Sequence, residues 1–189
     1  MIASFRLEQD EVGLGWSLLV ASLRSTDLEV AEQMAAEADG LLRRAGVPMG
    51  VAHNLEGRGI IAFERGELNE AASLLTEAIQ AFASYGNIGC TAHALEAAAV
   101  VIAAAAHDGD SLAAELLAAA EQFRQQSGQN HRPWEIRPRP ESLKNRIVTP
   151  SATTDTAAHA PGRRYTLSVA STLAAQALRS VGAPAPADP

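Results

Sequence analysis

Aromatic side chains account for only 4% of the 189 residues, and the chain holds a single cysteine. A core poor in rings must be filled by smaller groups. Alanine supplies much of the 47% apolar content, and it favours closely packed helices while being depleted in strands. One cysteine excludes an internal disulfide and agrees with a reducing compartment. Long apolar runs are also missing. The longest free of charge, 97–106, has ten residues, short of the roughly 20 that cross a bilayer, so no membrane association is expected. The opening MIASFRLEQDEVG has no apolar stretch of signal-peptide length and carries acidic residues early, which points to an uncleaved start and a cytoplasmic location. There is no GxxxxGK(S/T) phosphate loop, and no Ser, His and Asp whose local context supports a triad. No catalytic activity and no cofactor are expected.

Charge is divided along the chain. Residues 1–128 hold 7 Lys and Arg against 18 Asp and Glu, whereas residues 129–189 hold 8 against 4. The first part repels phosphates, so direct nucleic-acid binding by it is disfavoured.

What the sequence does contain is repetition. TDLEVAEQMAAEADGLLRRAG (26–46) aligns with GELNEAASLLTEAIQAFASYG (66–86) at an offset of 40, and then with SLAAELLAAAEQFRQQSG (111–128) at an offset of 42. Within each copy the apolar positions recur at three, four and seven: Ala31, Met34, Ala38 and Leu41; Ala71, Leu74, Leu75, Ala78 and Phe82; Ala113, Leu116, Leu117, Ala120 and Phe123. That spacing lines one face of a helix. Gly46, Gly86 and Gly128 fall where a helix closes on a residue in the left-handed conformation. Thr26 and Glu29 have the spacing of a capping box, and Asp110 is placed to cap the third copy. The first helices of the pairs are expected through 12–24, 49–65 and 89–107, the last of these longer or followed by a bulged loop. Small residues at Gly59 and Ala99 would let their partner helices approach closely.

Helix pairs repeated at about 34 to 47 residues are the signature of α-solenoids. The expected fold is therefore all-α: about three tetratricopeptide-like helix pairs over 1–128, a Pro/Arg-rich, partly irregular linker over 129–165, and a C-terminal capping helix with a frayed tail over 166–189. The linker reading rests on Pro133, Pro138 and Pro140 and on the polar stretch TPSATTDTAAHAPG. Trp134, among Arg132, Arg137 and Arg139, is read as packing against the last helix pair rather than stacking on a base.

The repeats, together with the closing GRRYTLSVASTLAAQAL, resemble the tetratricopeptide-like C-terminal region of bacterial LuxR-type and related signal-transduction ATPase regulators. The likeness covers about 45–180, with 12–45 as one more, diverged repeat. In that family the repeats receive a signal beside an ATPase module and, in many members, a helix-turn-helix that binds DNA. Neither of those parts is found here. The resemblance implies a non-catalytic protein-interaction or signal-sensing scaffold for transcription regulation and signal transduction. Its implied partner is a protein or peptide, such as an ATPase or transcriptional regulator, or a second copy of the chain. The alternative is a sensor that binds a small molecule in its groove.

The strongest constellation is a repeated His-x-x-Glu, His53/Glu56 and His93/Glu96, 40 residues apart. By the tetratricopeptide comparison these residues, with Ile60, Phe63 and Val100, line the concave groove. Two His and two Glu on neighbouring helices are competent metal ligands. The blander reading, a helix-surface pair duplicated with its repeat, is preferred, and no metal is expected. Cys90, beside Gly89 at a helix start, reads as a small, buried or half-buried residue rather than a nucleophile. HDGD at 107–110 reads as a turn.

Overall fold

The computed structural model describes residues 2–105, 110–128 and 164–181. Among them are eight α-helices and no strand: α1 (Ile2–Glu8), α2 (Glu11–Arg24), α3 (Leu28–Arg44), α4 (Pro48–Glu64), α5 (Leu68–Ser84), α6 (Ile88–Ala105), α7 (Asp110–Ser127) and α8 (Leu167–Arg179). The Pro/Arg-rich segment expected as a linker, with Trp134, lies outside the described residues, as do the HDG part of the 107–110 turn and the side chain of Asp110.

Local chemistry sets most boundaries. Asp10 caps α2 by accepting from Gly13 N at 2.9 Å, and Thr166 caps α8 by accepting from Val169 N at 3.3 Å. For α3 the cap is Asp27, which accepts from the backbone N–H groups of Glu29 and Val30. The Thr26/Glu29 capping box is thus displaced by one residue, because the carboxylate of Asp27 reaches both N–H groups. Pro48 opens α4, where its missing N–H is no loss.

The glycine stops recur twice as often as the sequence comparison suggested. Gly46, Gly66 and Gly86 all have positive φ, 66°, 81° and 66°, at intervals of 20 residues. Each donates to the carbonyl three residues back, while the next residue donates to the carbonyl five back: Val47 to Leu42, Glu67 to Ala62 and Asn87 to Phe82, at 2.9 to 3.0 Å. This is the Schellman closure, and it satisfies carbonyls that the ending helix would otherwise leave bare. Gly128 also has positive φ, at 69°. Because α3, α4 and α5 each run 17 residues and end in the same three-residue turn, the chain reverses at equal intervals.

Packing follows the pairs. The closest partners are α2 with α3, α4 with α5 and α6 with α7; α3–α4 and α5–α6 join them in sequence. The close approach expected at Gly59 is present: a Cβ there would lie 2.8 Å from Leu75 Cγ. One core cluster unites α4 to α8 around Leu75, Ile79, Phe82, Leu95, Leu116 and Phe123, and a second joins α1, α2 and α3 around Leu18, Leu19 and Leu42. Between them, Asn54 of α4 is fully buried and donates to Ala35 O of α3 at 2.9 Å, and Arg58 meets Glu32 at 2.7 Å.

Two further features bear on the sequence expectation. A short helix, α1, precedes the array, and its Arg6 makes a bond to Glu37 of α3 at 2.8 Å. The third first helix, α6, has 18 residues, one more than α4. It is long and apolar enough to cross a membrane, but 78% of it is buried inside the fold, against α4, α5, α7 and α8. Here it is the central helix of the core. The C-terminal α8 packs on α5 and α6 and also touches α7, burying Ala170, Ala174, Ala177 and Leu178.

Candidate functional site

The site begins with a cap. Asn87, the residue after the Gly86 stop, accepts from Cys90 N at 3.0 Å and starts α6. That start fixes Cys90 in the first turn of α6, next to the middle of α4. Cys90 Sγ lies 3.5 Å from His53 Nε2, and on the other side of the ring His53 Nδ1 lies 3.6 Å from Glu56 Oε2. Two rings flank the imidazole: Phe82 from the end of α5 at 4.9 Å between centroids, and Trp16 from α2 at 5.7 Å. Four helices therefore converge on one histidine.

The environment is mostly closed. Cys90 is 8% exposed and Glu56 5%, while the His53 side chain keeps 27% of its surface in solvent. Burial acts to lower the His53 pKa, but the thiol of Cys90 and the carboxylate of Glu56 outweigh it, and the value rises from 6.5 to about 9. Glu56 Oε1 has no hydrogen-bond partner among the described residues.

The remaining groove candidates go elsewhere. Ile60 and Val100 are 8% and 1% exposed and belong to the core, so they do not wall an open groove. Phe63 is half-buried against the same core. His93 is buried, and Glu96, at 1% exposure, forms an ion pair with Arg124 of α7, which also holds Glu121. The physical reason is the position of α6, packed by helices on several sides, which covers positions that a simple two-row array would leave open. The two His-x-x-Glu copies are consequently not equivalent. The first faces a thiol, and the carboxylate of the second neutralises a buried guanidinium.

Among the described residues no group of three or more His, Cys, Asp and Glu side chains is arranged to hold a metal. Glu56 and Cys90 address opposite nitrogens of His53, so the three cannot converge on one ion. With the ring protonated below about pH 9, Nε2–H faces Cys90 Sγ and Nδ1–H faces the Glu56 carboxylate, so the imidazolium can stabilise a thiolate and give a proton to a departing sulfur.

Compared with known proteins, the chain matches no family model, no curated protein and no solved structure.

Cys90, Asn87, Phe82 and Arg124 did not stand out as site residues in the sequence. One signal was available for the first. Cys90 lies three residues before His93, one turn earlier on the same face of its helix, so copies packed in register bring it opposite His53 of the preceding copy.

Proposed function

We propose that this chain is a tetratricopeptide-like helical-repeat module that holds a protein or peptide segment along the row of first helices, α2, α4 and α6. The carrying observation is the pairing itself: three helix hairpins in sequence, in which α2 touches α4 and α4 touches α6, whereas α3–α5 and α5–α7 are less closely packed. Such a difference makes the first helices the inner, shorter arc of a curved stack, the face that solenoids use for binding. Half-buried Trp16 and Phe63 lie on this row and offer apolar contact beside His53, with Ile60, Val100 and His93 as the packed layer beneath. The acidic balance of residues 1–128 favours a neutral or basic segment over nucleic acid. In the setting implied by the resemblance to regulator C-terminal regions, the partner is an ATPase or a transcriptional regulator in the cytoplasm. A scaffold supports this reading only by analogy, since function belongs to the site.

The test is positional. A photo-reactive amino acid is placed at 16 or 63 on the inner row, and at 33 or 80 on exposed positions of α3 and α5. The proposal expects one reproducible cross-linked partner from the inner positions and none from the outer ones. Equal labelling at all four, or no labelling at 16 and 63, would remove the basis for it.

A further inference from the structure

We propose that Cys90 is a thiol–disulfide exchange site for low-molecular-weight disulfides, with His53 as the cation beside its thiolate and the proton donor to the leaving sulfur, and Glu56 as the residue that orients His53. The proposal is independent of the partner-binding reading and concerns the chain alone.

The geometry carries it in three steps. Cys90 Sγ is 3.5 Å from His53 Nε2, close enough for the ring N–H to face the sulfur. Cys90 also sits in the first turn of α6, a helix of 18 residues whose N-terminal partial charge favours an anion there. Finally, Glu56 is 95% buried and stands 3.6 Å from Nδ1 with its other oxygen unpartnered, so the site holds a carboxylate that the fold keeps dry for no packing gain. The charged and titratable groups facing the imidazole are Glu56 from its own helix and Cys90 from α6; α2 and α5 contribute the rings of Trp16 and Phe82.

Exchange fits the site better than acyl transfer. Acyl transfer needs N–H donors aimed at a developing oxyanion, and the N–H of Cys90 is already bonded to Asn87 Oδ1. Exchange needs only a thiolate and a proton for the leaving sulfur. The Cys90 thiolate, held beside the imidazolium of His53, attacks one sulfur of the disulfide. A new Sγ–S bond forms as the old S–S bond breaks, and the departing thiolate takes the Nε2 proton of His53, which solvent then restores. Cys90 is oxidised and half of the small disulfide is reduced. Since the chain has no other cysteine, the product persists as a mixed disulfide until an external thiol removes it. The exposed edge of His53 marks the way in, and an adduct there presses on the α4–α6 contact.

The experiment uses the full chain and follows the reaction of Cys90 with dithiodipyridine at pH 8 and pH 6, with glutathione disulfide and mass detection of the adduct as a second arm. Comparing the two pH values cancels any slowing from burial. A thiol with the ordinary pKa near 8.5 loses roughly 75-fold in rate over this interval. The native chain is expected to lose less than His53→Gln, which shows the ordinary loss, with Glu56→Gln between them. Circular dichroism checks that each variant folds. If neither does, the native profile decides alone. An ordinary 75-fold loss in the native chain, a rate independent of disulfide concentration because Cys90 reacts only on unfolding, or the absence of a glutathione adduct would each overturn the proposal.

Discussion

The Schellman glycines allow a clean separation of backbone conformation from packing. At Gly46, Gly66 and Gly86 an added Cβ would meet no atom within 4 Å, yet all three residues have positive φ. Replacing each with alanine therefore creates no collision and tests the left-handed conformation alone. Holding an L-residue there costs about 1–2 kcal/mol. The lost freedom of the unfolded chain returns about 0.4–1 kcal/mol. A net loss of about 1 kcal/mol per site is expected, and because the sites close different helices, the triple variant should lose about 3 kcal/mol. For a chain of this length that lowers Tm by roughly 6–12 °C. The assay is urea and thermal unfolding followed by circular dichroism, with asparagine at the same positions as the comparison. Asparagine tolerates the left-handed region better, so it should cost less than alanine at every site. Alanine variants that all unfold like the parent, or asparagine variants as damaging as alanine, would refute the reasoning.

Three other outcomes follow from the packing and the charges. Arg124→Leu leaves Glu96 buried without its guanidinium and should cost about 3–5 kcal/mol in a denaturant titration, with much of that recovered by adding Glu96→Leu. Ala78 of α5 is fully buried, so Ala78→Leu should overpack the interface and cost roughly 1–3 kcal/mol; an unchanged melt would mean that the α5 register is wrong. The raised His53 pKa makes the folded state hold a proton that the unfolded state, with a pKa of 6.5, releases earlier. Its stabilisation is complete below about pH 6.5 and disappears as pH rises through about 9, amounting to a few kcal/mol at most. Unfolding titrations of the parent across that window should show the decline, and His53→Gln should flatten it.

The helices and their ends were legible in the sequence because they depend on neighbours a few residues away. The apolar spacing of α3, α5 and α7 and the glycines that close them are local requirements, met within one or two turns. Gly66 both closes α4 and opens the copy 66–86, so its role as a stop lies outside the copy-to-copy pattern of Gly46, Gly86 and Gly128. Asp27 displaced Thr26 as the cap of α3 for an equally local reason, its longer reach to two N–H groups.

The sequence by itself determined a periodic set of helices: where they start, where they stop, and which stripe of each is apolar. The tertiary structure decided what that stripe and its polar exceptions meet. Ile60 and Val100 are buried because α4 and α6 are packed by helices other than their own hairpin partners, a fact no single-helix pattern contains. Glu96 is neutralised only because α7 brings Arg124 beside it, 28 residues away in the chain. Cys90 and His53 are 37 residues apart and belong to different hairpins. They become a thiol–imidazole pair only when two copies of the repeat pack side by side, since contact between elements depends on the angle and depth of packing, and these are set by the whole core.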